Sequence, residues 1–193
     1  MNTTERLREQ TRTNHDSVDN LVMSVKPFDK KENYAKFLQA QAVFHKILEP
    51  VYRDAQLNQH MPELLALARY DAVLVDLKAL ESQEVSMDGA LPAPTFPRAL
   101  GWLYCAEGSN LGAAILFKEA KKISIDEHNG ASHLVGHADG RAPHWRQFCA
   151  QLNALPLSEA EAAEAVEGAK EAFAYYKEVI RTVFAGDEAV ATA

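Results

Sequence analysis

The stretch Gly101-Trp102-Leu103-Tyr104-Cys105-Ala106-Glu107-Gly108-Ser109-Asn110-Leu111-Gly112-Ala113-Ala114-Ile115-Leu116-Phe117 decides the reading of this chain. Its length and spacing predict the middle of a long helix rather than a strand. Gly108 and Gly112 fall in that middle, four residues apart and so on one face. A mid-helix glycine costs about 0.5–1 kcal/mol against alanine, and Ser109 and Asn110 are only moderate helix formers. A helix weakened at its centre gives up Cβ atoms there, which lets its backbone approach another body closely. Tight packing against a second helix is one reason for such a pattern. A functional contact is the other.

Helical spacing continues outward in both directions, and strand alternation is nearly absent. Thr95 can cap the long helix, with Pro97 in its first turn, and the helix runs to about residue 121. Upstream, Asn2 and Glu5 form a capping-box pattern ahead of a helix over residues 3–22. Leu7, Thr11, His15, Val18 and Val22 share one stripe of it. A break follows at residues 24–28. Asp29 then caps a helix over residues 30–55, with Tyr34, Phe37, Leu38, Val43, Phe44, Ile47 and Leu48 on its apolar face and a kink at Pro50. Shorter helices are predicted at 62–68 and 71–83, with a loop over 84–94. Residues 123–143, rich in Gly, His, Asp and Asn, predict a surface loop. Another helix covers 144–153. Ser158 and Glu161 cap a last helix to about residue 184. The expectation is an all-α domain of six to eight helices over residues 1–186, with a frayed tail at 187–193.

The bulk numbers agree with one domain, since 193 residues is close to the ~150 typical of one. The charge sum is 20 − 27 = −7, which excludes a general nucleic-acid binder. No apolar run approaches the ~20 residues of a membrane span. The opening has no basic-then-apolar leader. Two cysteines, Cys105 and Cys149, demand no disulfide. A protein of a reducing cytoplasm is therefore expected.

His15 is the other chemical feature. On an apolar stripe, a lone histidine is either a satisfied core residue or a metal ligand. Asp19, one turn on, could accept its second ring N–H and fix the imidazole as an axial ligand. Leu7-Arg8-Glu9-Gln10-Thr11-Arg12-Thr13-Asn14-His15-Asp16-Ser17-Val18-Asp19 resembles the proximal helix of the haem (heme) oxygenases. Glu107-Gly108-Ser109-Asn110-Leu111-Gly112-Ala113-Ala114 resembles the distal helix of their bacterial members. The two motifs stand in the family's order and separation. The resemblance continues, more weakly, through Phe148 and Lys170-Glu171-Ala172-Phe173, and so spans nearly the whole chain.

The resemblance implies an all-α fold with heme, both cofactor and substrate, sandwiched between two helices. It makes His15 the axial ligand of the heme iron. Gly108 and Gly112 then bring the distal backbone, with Ser109, Asn110 and Leu111, close over the heme and leave room for O2. A strong side-chain acid there would favour the wrong branch of the oxygen chemistry, so ordered water is the expected proton relay. Animal members carry Asp after the first distal Gly, where this chain has Ser109. Gln41 and His45, an i, i+4 pair, and Arg69 are carried over as network residues. The alternative for these three is a solvated surface. Arg8 and Tyr104 match propionate anchors, with Arg146 and Lys177 as weaker candidates. Trp145, Phe148 and Phe173 are expected to pack near the heme.

The implied reaction yields biliverdin, expected from the α-meso bridge, with CO and iron, for iron acquisition. Electrons would come from a separate reductase or ferredoxin, docking near Arg8, Lys118, Lys121 or Lys122. A monomer is expected. A heme-binding or delivery protein of the same fold is the alternative. A fold-related thiamin-degrading activity would need a catalytic cysteine with acidic partners, which neither Cys105 nor Cys149 offers. Cys105 reads as an inert buried thiol. His128, His133, His137 and His144 read as solvated loop histidines without a ligand role.

Overall fold

The computed structural model describes residues 1–187, so most of the predicted frayed tail lies outside the described residues. Among these residues there are eight α-helices and no strand. The first capping box forms as predicted: Asn2 Oδ1 accepts from the Glu5 amide at 2.9 Å, and Glu5 accepts from the Asn2 amide at 3.0 Å. The helix it starts does not run through to residue 22. Helix α1 spans Thr3–Gln10 and α2 spans Arg12–Ser24, separated at Thr11, whose hydroxyl donates to the Leu7 carbonyl at 2.7 Å. This break rephases the stripe. Leu7, Thr11 and Val18 stay buried, but the His15 side chain is turned outward and is 60% exposed.

Helix α3 spans Lys31–Tyr52. Its N-cap is Lys30 without a side-chain bond, so Asp29 does not cap it. Pro50 sits in the last turn of α3, which stops there rather than reaching residue 55. Asp54 then accepts from the Leu57 amide and caps a short helix that the sequence reading missed, α4 at Ala55–His60. The helix predicted at 62–68 is only a 3₁₀ turn, Leu65–Leu67. Helix α5, Tyr70–Ala79, is shorter than predicted. Helix α6 spans Arg98–Lys122; Thr95 contributes its carbonyl to the Ala99 amide instead of a side-chain cap. Helix α7 spans Arg141–Ala154, and α8 spans Glu159–Val183 behind the predicted Ser158–Glu161 box.

The core is one buried cluster built on α3, α6 and α8. Helices α6 and α8 cross at glycines. A Cβ on Gly101 would stand 2.0 Å from the Ala165 carbonyl oxygen, and one on Gly168 would stand 2.0 Å from that of Arg98. The tight helix packing of α6 is thus made at Gly101, not at Gly108 or Gly112. Helix α2 also packs on α8. The outward face of α6 leaves Leu111 39% and Ile115 69% exposed.

Two of the loop histidines are not solvated. The 123–143 segment contains a 3₁₀ turn, Ser132–Leu134, packed on α5, and His133 in it is 4% exposed. Its bond to a buried carboxylate, Asp76, draws it inward. His144 belongs to α7 and is equally buried, facing Glu107 of α6. No helix of the described residues is long and apolar enough to cross a membrane.

Candidate active site

The outer face of α2 presents His15. Its Nε2 lies 3.4 Å from the Asp19 carboxylate, and its ring centroid lies 5.8 Å from that of Phe173 on α8. Lys177, one turn beyond Phe173, donates from Nζ to Ser17 Oγ at 2.5 Å and ties α8 to α2 beside the histidine. The i, i+4 spacing of His15 and Asp19 produces this pair as the sequence suggested, but on a solvent-facing surface rather than in the core.

Along α6 the two central glycines differ. A Cβ at Gly108 would touch the Trp145 ring at 3.4 Å, whereas one at Gly112 would meet nothing within 4 Å. Ser109 is exposed, and its hydroxyl donates to the Ala106 carbonyl at 2.7 Å within its own helix. Asn110 is buried; its carbonyl and side-chain oxygens accept from Arg141 Nη1 at 2.8 and 3.3 Å. Trp145 packs against Tyr104 at 5.5 Å between centroids and against Phe148 at 5.7 Å. Phe148 is itself core, so it backs Trp145. Burial pushes the Tyr104 phenol up to about 12, while the Arg8 charge opposes the rise. Burial likewise raises the Cys105 thiol, whose Sγ–H points to the Ala169 carbonyl at 3.6 Å, as an inert thiol requires.

Behind α6 lies a polar core. Glu107 is fully buried, with Arg69 Nη2 and Nη1 at 2.9 and 3.4 Å and the Tyr52 hydroxyl at 3.2 Å. Burial alone would raise its carboxyl, but the Arg69 charge and the contacts with His144 and Arg69 together outweigh this and hold it below the usual carboxylate range. Arg69 is thus no surface charge. His45 is also buried, and its Nδ1 has no protein partner among the described residues. Burial first, then the Arg69 charge, pushes its pKa well down, so the ring stays neutral. The Gln41 amide nitrogen meets His133 Nε2 at 3.3 Å, and Tyr176 donates to Gln41 Oε1 at 2.6 Å. His133 Nδ1 lies 2.6 Å from Asp76.

The structure therefore turns Gln41, His45 and Arg69 inward, Gln41 onto His133 and Arg69 onto Glu107, rather than out to solvent. It adds partners that the sequence reading missed: Tyr52, Asp76, Glu107, His133, His144, Arg141 and Tyr176. One signal was present, since Glu107 is the only charge in the apolar run from Gly101 to Phe117. A buried carboxylate calls for a cation. The others carry no spacing signal; Asp76 and His133 are 57 residues apart.

A model of the Heme oxygenase family matches residues 1–182. Heme oxygenase PigA of Pseudomonas aeruginosa is 38% identical over 183 residues, covering 94% of this chain and 92% of the relative. The heme oxygenase of Neisseria meningitidis, solved with NO and CO bound, is 54% identical. It superposes with a TM-score of 0.93, covering 98% of this chain and 96% of that one. Heme oxygenase-1 of the cyanobacterium Synechocystis, solved in complex with heme, shares the fold at a TM-score of 0.76 and 22% identity, over 96% of this chain and 93% of that one. The proximal and distal segments, the helical architecture that carries them and these likenesses have one reading: this chain belongs to the heme oxygenase family of enzymes.

Proposed function

We propose that this enzyme opens heme at the α-meso bridge to biliverdin, releasing CO and iron, within a single domain over residues 1–186. The observation that carries the reading is an exposed His15, paired with Asp19, on α2 and a bare Gly112 on α6, two helices that both pack on α8. Heme, as substrate, supplies the iron at which O2 is reduced. His15 ligates that iron through one ring nitrogen while Asp19 holds the ring. Gly112 leaves space over the opposite face. Gly108, Ser109, Asn110 and Leu111 border it, with Trp145 and Phe173 as apolar walls.

The polar groups near that face suit restrained proton delivery. Ser109 spends its proton inside its helix, and Glu107 is ionised against Arg69. Neither is a strong acid at neutral pH. The buried His45 and the half-buried Gln41 and Arg69 hold and orient water instead. Arg8 offers a permanent charge and Tyr104 a hydroxyl to the propionates.

Electrons come from a separate reductase or ferredoxin, and the enzyme works as a cytoplasmic monomer in iron acquisition. The exposed Lys118 and Lys121 of α6 offer positive charge for docking such a donor. The test is heme-loaded protein with a reductant in air. Loss of the heme spectrum with formation of biliverdin IXα supports the reading. Stable heme would favour a binding protein, and dominant β or δ isomers would show a different seating.

A further inference from the structure

Asp76, His133, Gln41 and Tyr176 form a continuous chain, buried at Asp76 and His133 and half-buried at Gln41 and Tyr176, that links α5, the 3₁₀ turn, α3 and α8. Asp76 accepts four hydrogen bonds: from the Ser132 amide and hydroxyl at 2.8 and 2.6 Å, and from the His133 amide and ring Nδ1 at 2.9 and 2.6 Å. Those donors hold the carboxyl ionised against the opposing effect of burial. An ionised Asp76 only accepts, so a His133 ring proton sits on Nδ1, and the Gln41 nitrogen that faces Nε2 makes that atom the acceptor. The Gln41 nitrogen, 3.3 Å from that Nε2, has no lone pair and must donate. Gln41 Oε1 then faces Tyr176, whose hydroxyl spends its single proton on it at 2.6 Å. What remains at the Tyr176 oxygen is acceptor capacity alone. His45 and Tyr34, the other titratable neighbours, are kept neutral by burial first of all.

We propose that Asp76 is a positioning residue: acting through His133 and Gln41, its charge fixes the direction of hydrogen bonding along the chain and makes Tyr176 an obligate acceptor on the substrate side. Tyr176 is partly exposed and lies one turn along α8 from the Phe173 that touches His15. The proposal rests on the heme reading of the site. Its effect is to present a lone pair, not an acidic proton, to water held beside Gln41. Aligned chains of this kind strengthen each link.

The experiment has two arms. Nitrogen-15 NMR of the heme-free protein reads the His133 tautomer directly. A neutral Nδ1–H ring at pH 7 is expected, with that population falling in Asp76→Asn. A cationic ring, an Nε2–H ring, or an unchanged tautomer in Asp76→Asn overturns the proposal. This arm stays informative even if heme turnover fails. In the second arm, the acid–alkaline spectral midpoint of the ferric heme complex is compared among variants. Gln41→Met severs the chain without needing Asp76→Asn to fold. It should lower the midpoint by roughly half to one pH unit, because a Tyr176 free to donate favours the deprotonated form. Asp76→Asn should move it the same way, and the double variant no further than Gln41→Met alone. Additive or opposite shifts would show that the two residues do not act through one chain.

Discussion

His15 and Asp19 show how a single turn of helix can pair an imidazole with a carboxylate on an exposed face. Because the His15 side chain is 60% exposed and packs little, His15→Ala should keep the helical far-UV spectrum and thermal midpoint. It should lose the ligand-dependent heme spectrum and most turnover; an unchanged spectrum would remove the ligand assignment. Arg8 and Tyr104 are argued in the same way. A charge-assisted hydrogen bond contributes about 1.5–3 kcal/mol, so Arg8→Asn with Tyr104→Phe should cut the preference for one heme seating roughly ten- to a hundred-fold. Chromatography of the biliverdin isomers would show a mixture. His45 carries a pH prediction. Its folded pKa is lowered while its unfolded value is 6.5. Above pH 6.5 its contribution is therefore complete, and as pH falls below that the unfolded chain takes up the proton first. Stability should decline at about 1.4 kcal/mol per pH unit from this one group. His45→Leu should flatten the dependence of the denaturant midpoint on pH between 6.5 and 5, measured against wild type.

At the scale of elements, α6 uses its glycines for opposite purposes. Gly101 lets α8 pass so closely that a Cβ would collide with backbone at 2.0 Å, an obstacle no rotamer can relieve. Gly101→Ala should cost about 3 kcal/mol or more, lowering the thermal midpoint by about 6 to 12 °C in a domain of this size. Gly112 meets nothing. Gly112→Leu should melt within about 2 °C of wild type, since surface changes are usually within about 0.5 kcal/mol, yet form little biliverdin. Normal turnover in a folded Gly112→Leu protein would show that the open face has no part in the chemistry. The spacing Gly-x-x-x-Gly pointed to Gly108 and Gly112, neither of which makes the tight crossing of this helix. Which glycine does the packing was not legible, because a missing Cβ looks the same from either side of a helix until its neighbour is placed.

Across the whole molecule, the buried Arg69–Glu107 pair joins the start of α5 to the centre of α6. Glu107→Gln leaves Arg69 buried without its counter-charge and should cost about 3–5 kcal/mol, read from chemical denaturation. Arg69→Met with Glu107→Leu should recover much of that loss, because two charges are then removed together. A double variant no more stable than Glu107→Gln would show that the pair does more than neutralise itself. The sequence by itself determined the all-α class, both capping boxes, the long helix around Gly108 and Gly112 and the His15–Asp19 turn. Each of these is a local matter, set by bonds or spacings within four residues. Helix ends were less legible at Thr11, Asp29, Thr95 and Pro50, where caps compete with neighbouring turns. The exposure of His15 and the burial of His133 and His144 were decided only by tertiary structure. So was the chain from Asp76 to Tyr176, whose members come from four separate elements. Solvation of a polar side chain depends on what packs over it, and a carboxylate far away in sequence can draw a loop histidine inward by satisfying it there.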